Sequence, residues 1–246
     1  MNIFENIYLI GSGKNGVSMS NSYDCNVYAI NFKDEIVIVD AGSGIEPKKI
    51  IKNAKRLGLP LDKLKYLLLT HYHGDHAGGS FFWKEEFGVQ VIAPLEGKKW
   101  LEEADEKAIS LDLARKAGGY PSYYRLKPCE VDIGVKEGDQ LNISGVEFQV
   151  LETPGHSNGH VSYYCTIGSK KVLFAGDTVF PGGTILLQNI YDCSITKYSD
   201  SVSKLNKLNI DMLLAGHLSP IISGGSNHIA IAHDKFSKLG IPNNFI

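Results

Sequence analysis

Cysteine is scarce in this sequence, and basic residues do not outnumber acidic ones. The nearest pair, Cys165 and Cys193, lies 28 residues apart, so the Cys-x-x-Cys unit of a cysteine zinc site is absent and a disulfide framework is not expected. Lys and Arg number 25 against 27 Asp and Glu, which gives a net charge of -2. This balance argues against a nucleic-acid-binding protein.

Long apolar runs and a leader are also missing. The first residues lack the basic region followed by an apolar core that marks a secretory signal. The longest apolar runs, such as 66–69, are far too short to cross a bilayer. We therefore expect a cytoplasmic protein that acts on a small-molecule substrate and binds neither nucleic acid nor membrane.

Short β-type runs, among them 35–39, 65–69 and 171–175, alternate with amphipathic helical stretches along the 246 residues. Helices are predicted over 45–57, 76–87, 199–208 and 228–239. No Pro-rich or low-complexity linker divides the chain, so we predict one α/β domain over 1–246. A charged helical insert is expected at about 95–127.

The segment 70–76, THYHGDH, directly follows a predicted buried strand. His71 and His73 are two positions apart, so in an extended segment they face the same way and can bind one metal. The glycine after them permits a sharp turn, which re-aims Asp75 and His76 towards a second metal. Imidazole and carboxylate are the ligands that suit zinc, with iron or manganese also possible.

Three further candidates each come just after a predicted strand: His156, Asp177 and His217. Ligand sites in α/β proteins collect at the carboxyl ends of strands. Together with the first cluster, these positions predict a metal site.

Other motifs receive structural interpretations. His160 opens a predicted strand, and we expect it to have a structural role or to support a metal ligand. His228 and His233 lie on the last predicted helix, where surface or packing roles are expected. The segment 11–16 spells GxGxxG, but no helix is predicted after it to hold a phosphate. We interpret it as a flexible loop.

In this order the motifs resemble those of the metallo-β-lactamase fold superfamily, beginning with IVIVDAG at 36–42. The resemblance implies a four-layer αβ/βα sandwich, the metallo-β-lactamase fold, with a dinuclear metal site. It implies that Asp40 orders the HxHxDH loop. It assigns His71, His73 and His156 to the first metal, Asp75, His76 and His217 to the second, and Asp177 to a bridging position.

Differences between this sequence and individual branches of the superfamily reduce the number of activities to consider. A bridging Asp177 argues against the classical β-lactamases, which lack it. The segment 176–180 is similar to glyoxalase II, a thioesterase, but the basic residues that hold glutathione there are replaced by 182–185, which argues against glutathione thioesters. Phe180 stands where N-acyl homoserine lactonases carry Tyr, so lactonase activity would need another proton donor. The flavin-linked diiron oxidases have Glu in place of the second His of the signature, so His73 argues against that activity.

The sequence thus predicts a dinuclear metal-dependent hydrolase whose metal-bound hydroxide attacks the carbonyl of a thioester, lactone or ester. Zinc is the expected metal, and Asp75 and Asp177 are the candidate catalytic residues. A metal-dependent phosphodiesterase and an iron-containing redox protein remain alternatives. Aromatic residues of the insert and of segment 180–198 either line the substrate pocket or pack the insert onto the body: Trp100, Tyr120, Tyr123, Tyr124, Tyr191 and Tyr198.

Overall fold

A computed structural model describes residues 1–245. The chain divides into two compact units, Met1–Val135 and Lys136–Ile246, and each contains one β-sheet. That a single domain spans 1–246 stays a prediction.

The first unit contains a seven-stranded sheet whose strands lie in chain order. Neighbours from the first strand to the fourth are antiparallel, and those from the fourth to the seventh are parallel. The strands are β1 (Asn2–Phe4), β2 (Ile7–Gly11), β3 (Val27–Asn31), β4 (Ile36–Val39), β5 (Leu64–Leu68), β6 (Gln90–Pro94) and β7 (Ile133–Val135). Since β4 and β5 are parallel neighbours, the residues that follow them meet at one edge of the sheet.

Five α-helices accompany this sheet: α1 (Pro47–Arg56), α2 (Gly74–Ala77), α3 (Ser80–Phe87), α4 (Lys98–Glu102) and α5 (Leu111–Lys116). Helix α1 starts with Pro47 in its first turn, where proline costs no hydrogen bond, and it buries Ile50 and Ala54. Its prediction over 45–57 is confirmed. The predicted insert 95–127 contains the two short helices α4 and α5.

The helix predicted over 76–87 is wrong as one element, because α2 ends at Ala77 and α3 begins at Ser80. The backbone passes close to Ala41 at this point: a Cβ on Gly79 would lie 2.2 Å from the Ala41 carbonyl oxygen. The indole of Trp83 in α3 is buried and donates to that same oxygen at 3.0 Å. A continuous helical repeat could not have revealed this break, since its cause is a contact distant in sequence.

The second unit contains a five-stranded sheet in the order β12-β11-β10-β9-β8. Its strands are β8 (Gln140–Ile143), β9 (Val146–Glu152), β10 (Val161–Ile167), β11 (Lys170–Gly176) and β12 (Met212–Ala215). Only β11 and β12 pair in parallel, and the other neighbours are antiparallel. Strands β9, β11 and β12 therefore run the same way and end at one edge of the sheet.

Two helices, α6 (Ile195–Leu205) and α7 (Gly225–Ser237), accompany this sheet. Each begins several residues earlier than predicted. Helix α6 begins after Ser194, whose hydroxyl accepts a hydrogen bond from the Lys197 N–H at 3.4 Å. Ser at this position is a favoured N-cap, and the apolar repeat alone places the start too late.

The segment 11–16 and the lengths of the helices bear on two further predictions. The GxGxxG segment 11–16 closes β2 and enters a stretch without helix up to β3, so its interpretation as a loop is confirmed. Within residues 1–245, no helix has the length and apolar character needed to span a bilayer.

Candidate metal centre

The HxHxDH residues gather in the loop that follows β5 and in the short helix α2 that ends it, which contains Asp75 and His76. The ring centroids of His71 and His73 lie 4.9 Å apart, and those of His71 and His76 lie 4.0 Å apart. His71 and His76 are buried, while the Asp75 side chain keeps 18% exposure. Four of the seven predicted ligands thus form one cluster within the first unit.

Asp40, directly after β4, holds this loop. Its Oδ1 accepts a hydrogen bond from the Thr70 N–H at 2.8 Å, and its Oδ2 lies 2.8 Å from His76 Nδ1. An ionised carboxylate only accepts, so Nδ1 of His76 carries the proton. In the neutral imidazole, Nε2 is then the nitrogen that can bind a metal.

Through the Thr70 hydroxyl, the Asp40 carboxylate also determines which ring nitrogen of His71 donates a hydrogen bond. The Thr70 hydroxyl lies 3.0 and 2.9 Å from the two Asp40 oxygens, so its proton points to Asp40. His71 Nδ1 lies 3.0 Å from that hydroxyl oxygen and must donate to it. In the neutral imidazole, His71 Nε2 is then the nitrogen that can bind a metal, so one carboxylate orients two imidazoles.

The donor atoms of this cluster fit a cation. His76 Nε2 lies 3.7 Å from Asp75 Oδ2, which brings an imidazole lone pair towards a carboxylate oxygen. Such a pair of acceptors is favourable when a positive ion lies beside both. Donor atoms of Cys25, Asp40 and His76 also lie within 4.8 Å of one another. Burial raises the pKa of Cys25 to about 12, so it is a neutral thiol near pH 7.

Two tyrosines of the insert contact this loop. The Tyr120 hydroxyl donates to Asp75 Oδ1 at 2.8 Å and accepts from the Asp75 N–H at 3.0 Å. The Tyr124 hydroxyl lies 2.8 Å from the Gly74 carbonyl oxygen. Burial, reinforced by the Asp75 charge, raises the pKa of Tyr120 well above its usual value.

The remaining aromatics of the two segments differ from one another. Trp100 packs edge-on against Tyr72, with centroids 5.9 Å apart. Tyr123 and Tyr191 are exposed, at 73% and 62%, whereas Tyr198 is fully buried. A place for Tyr198 on a pocket wall is therefore wrong, because its side chain lies in the core of the second unit.

The second unit assembles the three later candidates around one carboxylate. Asp177 Oδ2 lies 3.4 Å from His156 Nε2 and 3.3 Å from His217 Nε2, and all three side chains are buried. His156 Nδ1 lies 3.0 Å from the Leu186 carbonyl oxygen and must donate to it, so in the neutral imidazole Nε2 is the nitrogen that can bind a metal. Acceptor atoms that converge in this way fit a metal ion.

Asp177 is itself held from two sides. His160 Nε2 accepts from the Asp177 N–H at 3.1 Å, so Nδ1 carries the proton and donates to the Thr153 hydroxyl at 2.9 Å. The Tyr198 hydroxyl donates to the Asp177 carbonyl oxygen. The structure thus gives His160 the supporting role predicted for it, and it reveals a role of Tyr198 that strand-end reasoning missed.

The last two histidines take other roles. His228 and His233 lie on α7 and are partly exposed. The Gly182 N–H donates to His228 Nδ1 at 2.8 Å. Neither joins a group of converging metal-donor atoms within residues 1–245.

The sequence model of the metallo-beta-lactamase superfamily matches residues 22–217. Among curated proteins, the chain is 32% identical over 203 residues to the hydroxyacylglutathione hydrolase GloC of Haemophilus influenzae, covering 81% of this chain and 84% of that protein. It is 29% identical over 229 residues to a hydroxyacylglutathione hydrolase of Hydrogenovibrio crunogenus, covering 92% and 66%. Against a Rhodopseudomonas palustris hydroxyacylglutathione hydrolase it is 30% identical, covering 63% of this chain and 49% of that protein. The chain thus spans about half the length of some relatives and most of others.

Among solved structures, the chain is similar to BJP-1, a subclass B3 metallo-beta-lactamase of Bradyrhizobium japonicum. The TM-score is 0.73 at 24% identity, over 97% of this chain and 92% of that one. FEZ-1 of Legionella gormanii gives a TM-score of 0.72 at 19% identity, over 96% and 94%. At these identities the likeness concerns the fold.

The family match and the fold likeness confirm three predictions made from the sequence: the superfamily, the α/β metallo-β-lactamase fold class, and an enzyme of the metal-dependent hydrolase class. The matched stretch contains every predicted ligand, from the HxHxDH loop to His217. The chain belongs to the metallo-β-lactamase superfamily.

Proposed function

We propose that this protein is a dinuclear metal-dependent hydrolase of thioesters. The observation that carries the proposal is the position of Asp177, whose Oδ2 lies within 3.4 Å of both His156 Nε2 and His217 Nε2. A carboxylate placed between two metal-binding nitrogens fits the bridging role that the sequence predicts. The relatives named hydroxyacylglutathione hydrolase, at about 30% identity, support the thioester as substrate.

Two metal ions, with zinc the proposed element, would be held by the seven candidate ligands. The division follows the resemblance. Neutral imidazoles with Nε2 directed to the metal are the usual zinc ligands, and the hydrogen bonds of His71, His76 and His156 set that state. The proposed ligands are His71, His73 and His156 for the first ion, Asp75, His76 and His217 for the second, and Asp177 for both.

When bound, such metal ions supply Lewis-acid activation of water and of a carbonyl oxygen. The chain's own residues supply orientation. Asp75 keeps one oxygen on Tyr120 and has its other near His76, so its carboxylate can orient an attacking water or take its proton. The backbone N–H and carbonyl of Asp177 are held by His160 and Tyr198, so the backbone that carries its carboxylate is fixed in place.

Thioesters are favoured over the other carbonyl substrates. Asp177 argues against the classical β-lactamases, and the likeness to their structures concerns the fold alone. Phe180, at the position of the lactonase tyrosine, is buried and packs edge-on on Phe245 with centroids 4.7 Å apart. An apolar side chain there cannot donate a proton to a leaving alkoxide, whereas a leaving thiolate is stable without a proton near neutral pH.

A cytoplasmic location of the protein also stays a prediction.

The direct test is a hydrolysis screen of the zinc-loaded protein. The substrates are a hydroxyacyl glutathione thioester, an acyl-coenzyme A thioester, an acyl homoserine lactone, a phosphodiester and a cephalosporin. We expect turnover of at least one thioester, well above that of the lactone. Turnover of the phosphodiester or the cephalosporin with both thioesters inert would contradict the proposal.

A further inference from the structure

Tyr120 makes two hydrogen bonds to a single residue of the metal-binding loop. Its hydroxyl donates to Asp75 Oδ1 at 2.8 Å and accepts from the Asp75 backbone N–H at 3.0 Å. The two bonds are compatible, because a phenol has one proton to give and lone pairs to accept. Together they fix both the backbone and the side chain of Asp75.

This contact determines which carboxylate oxygen faces the metal-binding nitrogens. With Oδ1 engaged by Tyr120, Oδ2 lies 3.7 Å from His76 Nε2. Rotation of the carboxylate would break the Tyr120 bond. Partners that orient a ligand in this way commonly change metal affinity when they are removed.

Tyr120 is in turn held firmly in place. Its ring stacks on Tyr124 with centroids 5.0 Å apart and on Tyr23 with centroids 5.9 Å apart. Glycines let Tyr124 approach: a Cβ on Gly78 would lie 2.0 Å from the Tyr124 hydroxyl oxygen, and one on Gly74 would lie 3.1 Å from its ring. The insert therefore packs tightly against the metal-binding loop, and at Gly78 the contact leaves no room for a Cβ.

We infer that Tyr120 is a positioning residue of the reaction, which holds the Asp75 carboxylate in the orientation that binds metal and orients water. The inference rests on the proposed function, because Asp75 is a proposed ligand there. It gives the insert a part in catalysis that is separate from lining a pocket. Tyr120 acts through Asp75 and does not itself touch the reacting atoms.

The test compares Tyr120→Phe with Tyr123→Phe, which removes an exposed hydroxyl from the same insert. Zinc affinity is measured by competition with a chromophoric chelator, and the melting temperature of the metal-free proteins is recorded beside it. We expect Tyr120→Phe to weaken one zinc equivalent by ~10–100-fold, as for other groups that orient metal ligands. Tyr123→Phe should leave both affinities unchanged. In turnover, kcat should fall while KM changes little.

A double-mutant cycle distinguishes positioning from general stabilisation. In an Asp75→Ala background, Tyr120→Phe should have much less effect on zinc affinity than in the parent, because the carboxylate is gone and only the bond from the backbone N–H at position 75 is left to lose. Additive losses in the cycle, or unchanged zinc affinity of Tyr120→Phe, would overturn the inference. These readouts need no substrate. A parent that binds two zinc ions but hydrolyses no thioester would contradict the proposed function and leave the Tyr120 result intact.

Discussion

The two units contribute their candidate ligands in opposite ways. In the first, His71, His73, Asp75 and His76 come from a single loop after β5. In the second, the three ligands follow three different strands, β9, β11 and β12. The first cluster is therefore a local motif, while the second exists only once the sheet has formed.

The two clusters also differ in the hydrogen bonds that hold their candidate ligands in place. One buried carboxylate, Asp40, sets the tautomers of His76 directly and of His71 through Thr70. In the second unit, support is spread over the Leu186 carbonyl, His160 and Tyr198. A single change at Asp40 should therefore weaken two candidate ligands of the first cluster at once, whereas loss of one support in the second cluster should have a smaller effect on zinc binding.

The largest effect is expected from the ligand at the centre of the second cluster. Asp177→Asn keeps the shape and one oxygen donor but removes the charge that would offset the two proposed cations. Since groups that merely orient a ligand change metal affinity or activity ~10–100-fold, loss of this ligand should lower turnover by more than ~100-fold. Zinc stoichiometry and kcat measure the effect. If Asp177 only capped the loop after β11, Asn would be nearly silent.

Next in size is the carboxylate that supports the first cluster. Asp40 has a positive φ of 61°, which Asn also tolerates, so Asp40→Asn changes the hydrogen bonds without adding backbone strain. Zinc affinity should fall by ~10–100-fold, because Asn keeps only one acceptor oxygen and puts an NH2 donor in place of the other, so the contacts that fix the two tautomers cannot both be kept. Asp40→Ala is the comparison, since it adds strain and should also lower the melting temperature. Full zinc affinity in Asp40→Asn would contradict the dependence on one carboxylate.

Thr70 allows the two histidines of that cluster to be separated. Thr70→Val removes the hydroxyl between Asp40 and His71 but leaves the bond from Asp40 to His76. We expect a loss in zinc affinity near ~10-fold, the lower end for orienting groups. Thr70→Ser keeps the hydroxyl and should bind zinc like the parent. A loss of zinc affinity in Thr70→Ser, with Thr70→Val unaffected, would show that the methyl group, and not the hydrogen bond, matters.

A smaller effect is expected for one of the distributed supports of the second cluster. Tyr198→Phe leaves the Asp177 carbonyl oxygen without the donated bond from the buried hydroxyl. Loss of such a bond costs ~1–3 kcal/mol of unfolding free energy. The melting temperature should fall by ~2–4 °C for each kcal/mol, with zinc still bound. Loss of zinc at unchanged stability would make Tyr198 as important as Asp40, against the comparison.

The smallest effects are expected outside both clusters. His228→Ala removes one partly exposed acceptor of the Gly182 N–H, and His233→Ala alters the surface of α7. Surface changes of this kind usually stay within ~0.5 kcal/mol. Zinc stoichiometry and kcat should match those of the parent. Inactivity of His228→Ala as complete as that of His156→Ala, at unchanged stability, would overturn the sorting of the histidines.

Most of the fold could be predicted because its signals are local. The apolar runs place β4, β5 and β11 to within about a residue at either end, since buried strands are continuous in apolar residues. The short strands β1 and β7 were missed because three residues carry too little pattern.

The candidate ligands can be predicted from the sequence, whereas the contacts that support them cannot. His71, His73, Asp75 and His76 occur at a fixed spacing, so the motif itself reveals them. Tyr120 lies 45 residues from Asp75, and Leu186 lies 30 residues from His156. No local spacing encodes these contacts, because tertiary packing creates them.

We propose that the candidate ligands of the two clusters bind the metal ions of one dinuclear centre, and the zinc stoichiometry of the protein tests this most directly. Chelator-stripped parent protein and Asp177→Asn are dialysed to equilibrium against buffered zinc, and bound metal per chain is measured by mass spectrometry. We predict two zinc ions per chain for the parent and about one for Asp177→Asn at the same free zinc concentration, since a bridging charge stabilises two nearby cations. A parent without tight zinc, or an Asn variant that still holds two, would contradict the account.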